Sequence, residues 1–186
     1  MFSTRSYRVP VYTAFEDNSF KGQINANIGV IALNQELFEG VYFPRIPRVN
    51  ANFFASPTSA LSFGVYGEAG NFINRDSPPD LGYGHNAGME ATIRFTDRLR
   101  LSLSYNRSRL ASVATKQLFF DGNIYRATGY FYFNTEAFLR IITQYETFEK
   151  TLNVYPLFSY KLNAFTVFYA GATRDLTNFS DRPAGW

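Results

Sequence analysis

The segment Asn86–Asn106, NAGMEATIRFTDRLRLSLSYN, alternates on both sides of a short polar break. Ala87, Met89, Ala91, Ile93 and Phe95 alternate with Gly88, Glu90, Thr92 and Arg94. Beyond Thr96-Asp97-Arg98, Leu99, Leu101, Leu103 and Tyr105 alternate with Arg100, Ser102 and Ser104. Successive side chains of a strand point to opposite faces, so a period of two predicts a hairpin with one apolar and one polar face. A three-residue turn sets Phe95 opposite Leu99 and Arg94 opposite Arg100, which keeps both apolar sets on one side. The polar side carries charge, which a dry core does not hold without partners.

The same alternation recurs along the 186-residue chain. It predicts ten strands, near residues 5–15, 20–33, 46–55, 60–72, 86–95, 99–109, 118–133, 137–148, 151–162 and 165–174. Their lengths suit the roughly 9–11 residues of a tilted strand that crosses a bilayer. Leu110–Phe119 has room for one helical turn inside a loop. Short turns are expected at Glu16–Ser19, Ser56–Ser59, Thr96–Arg98, Asn134–Glu136 and Asn163-Ala164, and longer loops at Asn34–Arg45, Asn71–His85 and Arg109–Gln117. The short Thr147–Thr151 connection falls on the loop side. Tight turns at one end and longer loops at the other mark outer-membrane barrels.

The expected fold is therefore all-β: an antiparallel up-and-down transmembrane β-barrel, present as one incomplete segment over residues 1–186. The apolar face meets lipid, and Phe15, Phe20, Phe53, Phe95, Phe133 and Phe165 form an interfacial ring beside the short turns. The polar face carries Lys21, Gln23, Asn25, Asn27, Asn50, Asn52, Glu68 and Lys161 together with the lumen candidates Glu90, Arg94, Arg100, Arg126, Tyr130, Arg140, Gln144 and Glu146. In the last hairpin Tyr160 is expected opposite Val167 and Phe158 opposite Tyr169. Pro156 interrupts a strand and calls for a bulge or an edge, and Phe138 and Ile142 break the polar pattern of their strand.

Composition agrees. Aromatic residues are 18% of the chain, with 20 Phe and 13 Tyr. Yet mean hydropathy is −0.19, and no apolar run approaches the roughly 18 residues of a membrane helix. The net charge of +3 is spread along the chain, so no nucleic-acid footprint is expected. With no cysteine there is no disulfide, thiol catalysis or Cys-based zinc site. Met1–Asn18 lacks the features of a signal peptide. If the short turns are periplasmic, both ends of the chain lie on the loop side, and the chain stops in NFSDRPAGW without a closing strand. Both features suggest a piece of a longer barrel, truncated at each end.

Three segments resemble one known family: DRLRLSLSYNRSRL (97–110), LFFDGNIYRATGYFYFNTEAFLRIITQYETF (118–148) and LNVYPLFSYKLNAFTVFYAG (152–171). They look like the C-terminal barrel of an uncharacterised bacterial family, which joins a periplasmic domain like a family-nine carbohydrate-binding module to an outer-membrane β-barrel. The likeness runs from Asp97 to Gly171 and more faintly from Phe20 to Asn86. Its most specific parts are Phe120-Asp121-Gly122, Gln144-Tyr145 and Pro156 to Asn163. The resemblance implies a Gram-negative outer membrane, a glycan-related context and no catalytic residues to carry over. The carbohydrate-binding-like domain itself is not in this sequence.

The chemistry agrees with a non-catalytic reading. His85, the single histidine, lies near Asp76 and Asp80 in a loop-like stretch rich in Asp, Pro and Gly. Gly82–Gly88 lacks the spacing and context of a phosphate loop, and no G-x-S-x-G occurs. Glu68, Glu90 and Glu146 read as solvated carboxylates that balance the arginines. Arg94 opposite Arg100 needs compensation from Asp97, Glu136, water or an anionic ligand. Tyr130 opposite Arg140 reads as a packing and cation–π contact. No cofactor and no metal are expected. The expected partners are the lipid bilayer and a glycan or small solute. Two alternatives remain: a soluble secreted β-sandwich that binds carbohydrate through exposed aromatics, and a membrane-associated hydrolase, a label that the resemblance implies for some members.

Overall fold

The computed structural model describes residues 5–17, 23–76 and 78–177. Among these, every regular element is a strand: β1 (Arg5–Asp17), β2 (Gln23–Phe38), β3 (Val41–Phe43), β4 (Arg48–Thr58), β5 (Leu61–Asn74), β6 (Asp80–Arg94), β7 (Leu99–Ser112), β8 (Leu118–Tyr132), β9 (Ala137–Glu146), β10 (Thr151–Asn163), β11 (Thr166–Gly171) and β12 (Arg174–Leu176). They form one sheet in the order β1-β2-β4-β5-β6-β7-β8-β9-β10-β11, with β3 on β2 and β12 on β10. Sequence neighbours pair antiparallel, so the up-and-down reading holds and all ten expected strands are present. The sheet is not closed into a barrel: among the described residues no ladder joins β1 to β11. The first short turn, Phe20, Lys21, the side chain of Phe15 and the terminal NFSDRPAGW lie outside the described residues.

One device makes the short turns. Thr58 Oγ1 accepts from the backbone N–H of Ala60 and Leu61, and Thr96 Oγ1 from those of Arg98 and Leu99, at 3.1–3.2 Å. Asn134 Oδ1 accepts from Glu136 and Ala137 at 2.9 and 2.7 Å, and Asn163 Oδ1 from Phe165 at 2.9 Å. A side-chain oxygen that caps the N–H groups two and three residues on stands in for a backbone turn. The Phe95 N–H then donates to Leu99 at 3.0 Å and the Phe133 N–H to Ala137 at 3.0 Å, as the alternation requires.

Several expectations fail. β4 runs to Thr58, so its turn narrows to Ser59-Ala60 and Phe53 sits within the strand rather than beside the turn. The Asn34–Arg45 loop contains the end of β2 and the added hairpin strand β3, which reverses at Glu39-Gly40 with both φ positive (47° and 82°). Asn71–His85 is mostly β5 and β6, which leaves 75–79 as the connection, and Arg109–Gln117 shrinks to 113–117. Leu110–Phe119 has no helix, only a turn capped by Ser112 Oγ on the Thr115 N–H at 3.1 Å. The contrast in connection length between the two ends is therefore small.

The last hairpin also departs. Tyr160 pairs with Phe168 and Ser159 with Tyr169, because the register slips between Lys161 and Asn163. An extra residue in one strand reverses the faces of its partner. Val167 and Tyr169 therefore stand beside Lys161 and Ser159 rather than opposite Tyr160 and Phe158. Pro156 keeps register with Ile141 on the β9 side. Its missing N–H falls on the other side, in the gap where β11 ends and β12 begins. A comparable slip accompanies Pro10 in β1.

The chain divides into two compact units, Met1–Ala55 with Gly64–Gly88 and Arg107–Asp121, and Ser56–Phe63 with Met89–Asn106 and Gly122–Trp186. In the first, Phe43, Ile46, Ala55 and Leu110 are buried, and the Ile46 N–H donates to the Asn34 carbonyl at 2.9 Å. Arg75 bridges the Glu36 carboxylate at 2.7 Å and the Phe38 ring at 4.6 Å. Gly70 has φ +141°, and a Cβ there would come within 2.3 Å of the Pro47 carbonyl, so the crossing of β4 and β5 requires glycine. Beside it Arg48 reaches Glu68 at 3.7 Å and the Phe72 ring at 4.9 Å. In the second unit Ala137 is the buried apolar residue among those described. Its apolar face is otherwise open: Phe95, Met89, Phe133 and Ile141 are 58, 53, 48 and 41% exposed.

Candidate functional site on the polar face

The second unit presents two faces whose residues follow from register. β8 and β9 pair Phe131 with Leu139, Gly129 with Ile141, Ala127 with Thr143 and Tyr125 with Tyr145. β10 continues these rows with Phe158, Pro156, Val154 and Leu152. At the turn end the rings of Phe131, Phe133 and Phe158 meet at 4.9 and 6.2 Å, both edge-on. At the other end Tyr105, Tyr125 and Tyr145 form a row, with centroids 5.0 and 6.4 Å apart. Phenylalanines, then aliphatic side chains, then tyrosines succeed one another along this face. Alternation within the strands suggests only half of this. Tyr125 and Tyr145 are equally far from the Asn134 turn, and that spacing was the available signal for their pairing.

The opposite face holds the eight candidates. Thr92 Oγ1 lies 3.1 Å from Ser102 Oγ, and the Phe95 N–H donates to Leu99, so Arg94 stands across from Arg100. Tyr130 pairs with Arg140, Arg126 with Gln144 and Ile124 with Glu146. The Tyr132 N–H donates to the Arg98 carbonyl at 2.8 Å, which brings β7 and β8 into register beside Tyr130. Arg94, Arg100, Tyr130 and Arg140 thus occupy one row across four strands. The ring of Tyr130 carries Arg100, with 4.4 Å from the guanidinium carbon to the centroid. Sequence reasoning named Arg140 for this contact, yet the ring contact observed is with Arg100. Phe138, which breaks the polar pattern, packs against Tyr130 and Tyr132 with centroids 6.5 and 5.8 Å apart.

One row along lie Thr92, Ser102 and Thr128, three hydroxyls that the sequence does not single out. They line a groove of about 390 Å³ together with Glu90, Ser104 and Arg126. Glu90 is exposed. Gln144 donates from Nε2 to Glu146 Oε1 at 2.6 Å, so that carboxylate is already engaged. No ion pair involves Arg94, Arg100, Arg126 or Arg140 among the described residues. The Nε atoms of Arg100 and Arg140 are buried without a hydrogen-bond partner.

Three further carboxylates belong to the first unit and are engaged there. Glu68 accepts from Asn86 Nδ2 at 3.0 Å beside its Arg48 contact. Asp80 accepts from Ser112 Oγ and from the Leu81 N–H, each at 2.7 Å. Asp121 receives Arg107 at 3.4 Å and Arg109 at 3.7 Å. Among the described residues no three His, Asp or Glu side chains come together as a metal site, and no helix is long and apolar enough to cross a membrane. Comparison of the chain with protein-family models, with curated proteins and with solved structures finds no match.

Proposed function

We propose that this chain is a segment of a Gram-negative outer-membrane β-barrel, non-catalytic, which serves as the membrane anchor or pore of a glycan-related surface protein. One observation carries the reading: the layered apolar face of the second unit. From Phe133, one residue past β8, to Tyr125 the chain advances eight residues, about 26 Å along the strand at the usual rise and about 20 Å of height at the usual barrel tilt. The apolar band of outer-membrane barrels is about 25 Å tall, with aromatic girdles at both edges. Exposed Phe and Ile on such a face are costly in water and favourable in lipid. On the other face the arginines and hydroxyls suit a wet lumen. The likeness of residues 97–171 to a barrel that follows a carbohydrate-binding-like domain supplies the glycan-related context. Closure of the barrel requires that β1 and β11 pair with each other or with further strands, because an open edge invites pairing.

The test is refolding into detergent micelles and into plain buffer, followed by circular dichroism and gel mobility with and without boiling. A β-rich, heat-modifiable, protease-resistant species confined to detergent is expected. A stable β-rich monomer in buffer would falsify the barrel and restore the carbohydrate-binding sandwich.

A further inference from the structure

The arginines of the polar face differ from the ion-paired arginines of the first unit in one respect. Arg48, Arg75, Arg107 and Arg109 each meet a carboxylate. Among the described residues Arg94, Arg100, Arg126 and Arg140 do not, although three of them share a row with Tyr130. Neighbouring strands lie about 4.8 Å apart, so like charges placed directly opposite repel. No carboxylate, Asp97 and Glu90 included, forms an ion pair with these arginines among the described residues. Glu146 is held by Gln144, and the Glu136 carboxylate accepts from Thr135 Oγ1 at 3.2 Å in the turn. Tyr130 holds the Arg100 guanidinium in place from one side, and the buried Arg100 Nε has no hydrogen-bond partner.

A planar guanidinium with unused donors fits the paired oxygens of a carboxylate, phosphate or sulfate. Thr92, Ser102 and Thr128 lie one row away. The Thr92 and Ser102 hydroxyls share one hydrogen bond, which leaves the other proton of the pair to donate. Arg126 closes the far side of the hydroxyl groove. We infer that this row binds the oxyanion group of a solute and biases the polar face toward anions. The inference takes its setting, a water-filled lumen, from the barrel reading, but the binding site itself does not need a membrane.

The test uses the folded protein in whichever medium folds it, with phenylglyoxal as arginine reagent and inorganic pyrophosphate, sulfate or citrate as protectant. Mass mapping should show Arg100 and Arg140 shielded by at least one of the three, and the pattern of protectants separates phosphate, sulfate and carboxylate as the preferred group. Titration of that anion should lose about tenfold or more in affinity in R100Q/R140Q, the effect of about one charge-assisted contact. R107Q/R109Q, whose arginines face Asp121, should bind as the parent does. R100K/R140K keeps the charge, so it guards against a folding defect, and should bind with intermediate affinity. Equal labelling with and without all three anions overturns the site, even where the protein is a heat-modifiable barrel. A protein that folds only in buffer overturns the barrel instead, and shielding of Arg100 and Arg140 there still upholds the anion site.

Discussion

Arg100 of β7 lies over the ring of Tyr130 of β8, and Tyr130 pairs across the next ladder with Arg140 of β9. One tyrosine therefore separates two guanidiniums that would otherwise crowd one row. Its face attracts a cation through the ring quadrupole, a contact worth about 0.5–2 kcal/mol according to solvation. Tyr130→Ala should lower the unfolding free energy of the refolded protein by about 1–2 kcal/mol, since the ring also packs on Phe138. Tyr130→Phe keeps the ring and should stay within about 0.5 kcal/mol of the parent. Urea titration of both variants decides whether the ring or the hydroxyl matters.

Ile141 and Ser102 stand on opposite faces of the second unit. If Ile141 faces lipid, Ile141→Arg should cost about 2–4 kcal/mol on folding into vesicles, the penalty for a cation near the midplane. Ser102→Arg should be tolerated if that face is wet. In a water-soluble sheet the order would reverse, because Ile141 is already 41% exposed. Folding yields of the two variants in vesicles, run side by side, separate the cases.

Gly70 and Gly129 form an internal control. A side chain at Gly70 meets the Pro47 carbonyl and the Arg48 Cα at a positive φ, whereas at Gly129 nothing lies within 4 Å. Gly70→Ala should destabilise by about 2 kcal/mol or more. Gly129→Ala should be neutral or slightly stabilising, by up to about 1 kcal/mol. Equal midpoints in thermal unfolding would count against the close approach of β4 and β5.

Asn134 holds the β8–β9 turn through two N–H groups. Asn134→Ala leaves both without that acceptor and should cost about 1–2 kcal/mol, while Asn134→Asp should retain most of it. Hydrogen exchange at Glu136 and Ala137 is the direct readout. Faster exchange is expected in the alanine variant alone.

Legibility followed turn length. Where two strands meet through a capped tight turn, alternation alone pairs Phe95 with Leu99 and Phe133 with Ala137, and the structure agrees. Across 113–117 the connection leaves β7 free to slide against β8, so the partnership of Arg100 with Tyr130 has no local signal. The last hairpin misled because Leu162 continues the apolar alternation and hides the slip between Lys161 and Asn163. The polar ends of β2, β5 and β6 read as loops for a different reason. Asn34, Glu36, Gly82 and Gly84 are poor strand formers, yet they pair there or pack against Arg75 and Leu110. Barrel closure depends on long-range pairing, which no single hairpin carries, and among the described residues β1 and β11 do not pair.

The gap opposite Pro156 gives the far edge of the sheet a seam. β11 clasps β10 over Leu157–Asn163 and β12 over Leu152–Val154; between them the Ala172 N–H donates to the Pro156 carbonyl at 3.2 Å, and Pro156 has no amide to answer it. A visiting strand that displaced only the short clasp of β12 would find β10 already half undressed, with its register to β9 unbroken beneath.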